Sequence, residues 1–157
     1  MIHWNDQPAA VRATLNPLLI AAVVAWSSRA YAKAGGHEGM PWPLAFVAPA
    51  LILHPPSRQA LPGSTKKRLI AWRDENDSLV EGLPERCRNL RPFTQAGLRA
   101  GLRHGFISVQ GPDVVGRLSP GRTPDELREV ARASALLGRW LAPLPASTVL
   151  GTLGMTT

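Results

Sequence analysis

Four histidines, one cysteine and a short acidic run are the residues of this sequence best suited to metal or acid–base chemistry. His3, His37, His54 and His104 stand far apart, and no pair has the close spacing that brings two ligands to one metal. Cys87 lies between Arg86 and Arg88, whose charges would lower a thiol pKa, but no base accompanies it to complete a nucleophilic pair. Asp74-Glu75-Asn76-Asp77 lacks the second acidic cluster or the lysine of a nuclease centre, so it reads as the solvated end of a helix. Gly63-Ser64-Thr65-Lys66 lacks the order and the upstream glycine of a phosphate loop, and Ser64 reads as a helix cap. No Gly-x-Ser-x-Gly elbow is present. The expectation is therefore a non-enzyme that needs no cofactor and no metal.

The pattern that does suggest a function is made of arginines. Between Arg86 and Arg122 seven arginines stand against one acid, Asp113, a local balance of +6 in a chain of formal net charge +7. Lys66-Lys67-Arg68 forms a second basic cluster. Such asymmetry favours an anionic partner, nucleic acid first and an acidic protein or membrane surface behind it. Gln95, Arg99 and Arg103 recur four apart, which places them in one row on a helix, while Leu98 and Leu102 are expected to face inward. Guanidinium groups bond guanine edges and phosphates bidentately, so this row is a candidate DNA contact. Arg91, Arg117, Lys66 and Lys67 join it as phosphate candidates. The competing reading is that the arginines only solvate one face and cap helices.

The elements that must position these side chains follow from turn and capping chemistry. The chain has 157 residues, 45% of them hydrophobic and 18% charged, which predicts one folded domain with a real core. Asn16-Pro17 opens an apolar helix that runs to about Ala34, where Gly35-Gly36 stops it. Because residues 18 to 26 are apolar nearly all round, that helix is expected to be enclosed by the fold or by a partner. A helix from Pro43 to Leu53, interrupted at Pro49, follows in a proline-rich stretch, and Ser64 is expected to cap a helix through Asn76 with Leu69, Ile70 and Trp72 on its apolar side.

Downstream, helices are expected over residues 84–89 and 93–104, separated by Arg91-Pro92. A hairpin of residues 106–110 and 114–118 follows, with Gly111-Pro112-Asp113 at its turn. Helix, turn, helix and hairpin is the order of a winged helix. Thr123-Pro124-Asp125-Glu126 then opens a helix carrying Leu127, Val130, Ala131, Ser134, Leu137 and Leu141 at helical spacing, and Ser147 is expected to cap a last helix over residues 148–153. The predicted fold class is mainly α with a small β-hairpin, a winged-helix-like segment with helical extensions. Residues 1–15 form a lead-in, 16–63 an apolar, proline-rich part suited to partners, 64–122 the basic part and 123–157 the C-terminal helices. The apolar run from Pro17 to Ser28 is twelve residues long, short of the about 20 a bilayer requires. The first fifteen residues carry Asp6 and Arg12 and no apolar run, so a cytoplasmic protein without a membrane partner is expected.

Several fragments taken together point to a family. They are Asn16-Pro17, Pro43-Leu44, Leu53-His54-Pro55-Pro56-Ser57-Arg58 with Leu61-Pro62, Leu137-Gly138-Arg139-Trp140-Leu141-Ala142 and Leu153-Gly154. In these the sequence resembles the middle component of bacterial three-component ABC systems, the group that includes Lamassu-type antiphage defence. It departs from that pattern at Pro55, where lysine is common, and at Leu141, where phenylalanine is common. The resemblance implies a subunit that joins an ATPase of the structural-maintenance-of-chromosomes (SMC-like) type to an effector, often a nuclease, with DNA contacted through the complex. It also implies that Asn16, Pro17, Leu53, His54, Arg58, Gly138, Arg139 and Trp140 belong to a partner-binding set. A free-standing winged-helix regulator is the alternative.

Overall fold

The structure is a computed structural model that describes residues 16–119 and 123–155. Helix α1 (Pro17–Gly35) starts as the sequence predicts: the Asn16 side chain accepts a hydrogen bond from the Leu18 N–H at 2.8 Å, Pro17 takes the first position, and Gly36 ends the helix at φ +66°. Strand β1 (Met40–Pro41) follows, then α2 (Trp42–Ile52), which holds Pro49 in its interior and is buried along nearly its whole length. Short helices α3 (Pro55–Ala60), α4 (Leu69–Glu75) and α5 (Asp77–Glu81) lead into the long helix α6 (Leu83–His104). The hairpin β2 (Ile107–Gln110) and β3 (Asp113–Gly116) comes next. A 3₁₀ turn (Asp125–Leu127) opens α7 (Arg128–Leu141), and α8 (Ala146–Thr152) ends the described fold. The molecule is mainly α with a small antiparallel sheet, as its sequence predicts.

Helix α1 is the axis of the structure. Ile20 to Ser28 are buried without interruption, and α7, α6 and β3 lie against them. Two glycines set how near those neighbours come. A Cβ at Gly138 of α7 would collide with the Ser27 carbonyl and come within 2.9 Å of the Tyr31 N, and one at Gly116 of β3 would collide with the Ala25 carbonyl. On α6, a Cβ at Gly97 would reach Ile20 at 2.6 Å and one at Gly101 would reach Ala21 at 3.2 Å, so the Gly97/Gly101 pair admits another helix, as its four-residue spacing suggests. The enclosure expected for α1 is thus supplied by its own chain. The main core runs from Ile20 through α2 and Leu83 to Leu153, and a small second cluster joins Ala22 and Trp26 of α1 to Ala131 of α7.

Four elements differ from the sequence expectation. Ser64 caps no helix: its Oγ accepts from the Lys66 N–H at 3.3 Å within a turn, and α4 begins only at Leu69. Within α4, Leu69 and Trp72 are buried while Ile70 is 47% exposed. The break expected at Arg91-Pro92 is absent, because α6 passes straight through Pro92. Pro92 and Arg88 are exposed, so the carbonyl deprived of its helical donor faces water, while buried Leu83, Thr94, Gly97 and Gly101 hold the helix on both sides of the proline. The helix–turn–helix predicted within 84–104 therefore does not form there. The hairpin does form, with a tight turn at Gly111 (φ +58°) and Pro112, but it belongs to a three-stranded sheet of order β1-β3-β2 in which Met40 pairs with Val114. A strand of two residues carries too little pattern to be read from sequence. At the C-terminus, α8 starts at Ala146 after Pro145, which leaves Ser147 inside the helix.

Gly138→Ala should lower stability by about 1–3 kcal/mol, because backbone rather than a movable side chain occupies the space its methyl needs. Urea unfolding should give a lower midpoint at unchanged slope. Gly63→Ala, whose Cβ would meet nothing within 4 Å, should stay within about 0.5 kcal/mol of the parent.

Candidate functional site

The exposed side of α6 carries the arginine pattern. Arg88, Arg91, Arg99 and Arg103 are all exposed and Gln95 is half-buried among them, while the opposite side of the helix packs on α1 and α2. Successive offsets of three and four residues keep these five on one face. None of the four arginines forms an ion pair among the described residues, so the row is an uncompensated positive strip. Leu98 is half-buried, but Leu102, expected inward, is 48% exposed and lies beside the row.

The other predicted DNA contacts are not gathered onto this helix. Arg117 lies just past β3, donates from Nε to the Ser108 Oγ at 3.2 Å and is exposed. Lys66 and Lys67 sit in the loop before α4, against Trp140 and the turn between α7 and α8. Lys67 pairs there with Glu75 at 2.6 Å, and its carbonyl accepts from the Trp140 Nε1 at 2.6 Å. Arg122 lies outside the described residues.

The residues singled out as partner contacts have internal duties. Asn16 caps α1, and the Pro17 carbonyl lies where Gly97 crosses. Leu53 is 8% exposed at the end of α2. Arg58 donates to the Ile52 carbonyl at 2.7 Å, closing the C-terminus of α2, and pairs with Glu129 of α7 at 3.4 Å. His54 Nδ1 meets the Ser57 Oγ at 2.7 Å, and Arg86 donates to the same hydroxyl and to the Leu79 carbonyl, each at 3.1 Å. Burial, then the nearby Arg86 charge, holds the His54 pKa below the usual imidazole range. Burial likewise lowers the Arg86 pKa. This node fastens α3 to the start of α6. Gly138 admits α1, and Trp140 packs edge-on to Trp72 at 5.4 Å. Of this set only Asn16 and Arg139 remain exposed.

The chemical candidates resolve in the same way. The Cys87 thiol is half-buried against the Phe46 carbonyl at 3.7 Å, and burial pushes its pKa up to about 11, outweighing the downward pull of Arg86 and Arg88. The activation suggested by those flanking arginines is thus reversed. In the acidic run, Asp74 pairs with Arg73 at 3.2 Å and Glu75 with Lys67, as on a solvated surface. His37 stacks on Tyr31 at 5.3 Å, His54 precedes α3, and His104 is in the last turn of α6, so the three described histidines serve different places. Among the described residues no three histidine, cysteine, aspartate or glutamate side chains gather in a group able to hold a metal ion, and no helix is long and apolar enough to cross a membrane. His3 lies outside the described residues.

Sequence reasoning missed one feature next to the arginine row. Trp42, at the first position of α2, is 56% exposed, and Val109 of β2 is 60% exposed, where an edge strand would be expected to shield or polarise such positions. No local signal distinguishes an exposed tryptophan from a buried one; only the packing of α2 against α6 decides it.

Comparison with known proteins adds one positive finding. The family model described as ABC-three component (ABC-3C) system Middle Component 3 matches residues 4–157. No curated protein and no solved structure matches the chain.

Because the fold favours the neutral Cys87 thiol, its contribution to stability is present below the ordinary thiol pKa and is lost as pH rises through about 11. At pH 8 the native thiol should react with iodoacetamide at least about a hundredfold more slowly than the urea-unfolded chain, since the thiolate is the nucleophile. Equal rates in the two states would refute this assignment.

Proposed function

As a member of the Middle Component 3 family of ABC-three component systems, to which this chain belongs, we propose that the protein is a non-catalytic linking subunit between an SMC-like ABC ATPase and an effector such as a nuclease, in antiphage defence of the Lamassu type. It works by presenting surfaces to the other components and brings DNA to the complex. The observation that carries this reading is the uncompensated arginine row of α6, held by a helix whose other side is fixed in the core. Such a row suits phosphates, because each guanidinium offers two parallel donors and association releases the counterions condensed on DNA.

The connectivity supports a winged-helix reading that differs from the one anticipated in the 64–122 stretch. In this reading α1, β1 and α2 come first, α3 to α5 are an insertion, α6 is the third helix, and β2 and β3 are the wing with β1 added to β3. The third helix of such an arrangement is the one that meets a major groove. Arg99 and Arg103, in the last turns of α6 before the wing, are the bet for direct DNA contact, with Arg91, Gln95 and Arg117 in support.

The test is duplex binding by the chain, alone and with its ATPase component. Arg99→Glu with Arg103→Glu should weaken affinity at least about tenfold and flatten the plot of log affinity against log salt by about two contacts' worth, since each phosphate contact contributes a slope near 0.9. Unchanged affinity and slope would remove α6 from the DNA contact.

A further inference from the structure

Five large hydrophobic side chains remain exposed among the described residues, and three of them, Trp42, Leu102 and Val109, stand together. They line a depression of about 290 Å³ between α2, the end of α6 and the hairpin, with Phe46 and Leu98 in its floor and Pro112 at its edge. A second depression of about 380 Å³ shares Trp42 and Phe46 and is bounded by Leu150, Met155, Arg88 and Arg91. Trp42 is thus a ridge between two apolar hollows, braced edge-on by Phe46 at 6.0 Å. The backbone N–H of Trp42 donates to the Pro112 carbonyl at 3.0 Å, which ties the hairpin turn to the start of α2.

We infer that this strip is the docking site for an amphipathic helix of a partner protein, apolar on one face and carrying aspartate or glutamate along its margin. The inference deepens the linking role proposed above and rests on it. Aromatic and arginine side chains beside an apolar floor are the composition of interface hot spots, and a groove of this kind takes a helix through anchors three, four and seven residues apart. From Arg91 to Leu102 the strip follows α6 for about 16 Å, the length of three helical turns. Charge complementarity specifies the margin: Arg88 and Arg91 bound one hollow, Arg99 continues the row, and Asp113 is the one acid among the described residues that line either depression. A DNA duplex would satisfy the arginines but leave Trp42, Leu102 and Val109 wet. A second copy of this chain in a symmetric pair would set arginine against arginine.

The test co-expresses the full chain with the ATPase and effector components of its own system and measures complex formation by co-purification and titration, with duplex affinity measured in parallel. Trp42→Ser with Leu102→Ser should weaken association at least tenfold while the melting temperature and duplex affinity stay near those of the parent. Arg88→Glu with Arg91→Glu, a surface pair that leaves the apolar strip intact, should also weaken association and reduce its salt dependence. If the parent forms no complex with either component, the linking reading falls and the docking site with it. If the parent complex survives both variants, the docking site alone is overturned. Loss of duplex binding without loss of the protein complex in the serine variant overturns it too and assigns the strip to nucleic acid.

Discussion

The approach of backbone to backbone around α1 is the constraint on which the rest of the structure depends. Where Gly138 crosses Ser27 and Gly116 crosses Ala25, even one methyl group has no room. That proximity lets a helix and a strand lie on the same apolar rod, so Ile20 to Ser28 are covered by the chain itself. Apolar burial supplies the driving force, at about 25 cal/mol for each Å² removed from water. The glycines determine how close the surfaces come and so how well dispersion contacts are satisfied. The position of α6, and with it the direction of its arginine face, is a consequence of this packing.

A second layer of fixation comes from arginines used inward. Arg58 closes the carbonyl end of α2 and reaches Glu129 of α7, while Arg86 joins Ser57 to Leu79 at the entry to α6. Both serve as multi-donor fasteners between segments distant in sequence, a task that suits the planar guanidinium fork. The same residue type therefore has two uses here, and composition alone cannot separate them. Of the seven arginines between Arg86 and Arg122, Arg86 is spent on structure, whereas Arg88, Arg91, Arg99 and Arg103 face water without an acid partner.

What was legible in the sequence was what local chemistry encodes. Asn16-Pro17 and Gly36 fixed both ends of α1, Gly111-Pro112 fixed the hairpin turn, and the Leu137/Leu141 period identified α7. The arginine row was legible as well, because it needs only helical spacing. What failed depended on tertiary context. Pro92 reads as a helix break, but burial on both sides of it outweighs one missing hydrogen bond on a wet face. Ser64 reads as a cap, but the chain turns for four more residues before α4 begins. Leu102 reads as core by its spacing from Leu98, yet it stands at the surface beside Trp42 and Val109, where α2 and the hairpin leave it uncovered. The fragments that point to the family, His54 to Arg58 and Gly138 to Trp140, also secure the chain's own helices, a duty that only the packed structure reveals.

A row of like charges along one helix repels itself and opposes the compact state. On α6 the opposition is borne by the other face, where Leu83, Thr94, Gly97 and Gly101 are buried and hold the helix whatever the arginines prefer. An anionic surface laid against the row removes that repulsion, so the packing that stabilises the free chain also preorganises it for binding, with little ordering left to do on association. Trp42 extends the same logic to apolar contacts: its position at the head of a buried helix, tied to the hairpin turn, presents an aromatic ring to solvent in one fixed place. Rigid placement of groups that would be better satisfied by a partner is what the proposed linking role requires, and here α6 packed on α1 places the arginines while α2 packed on both places Trp42.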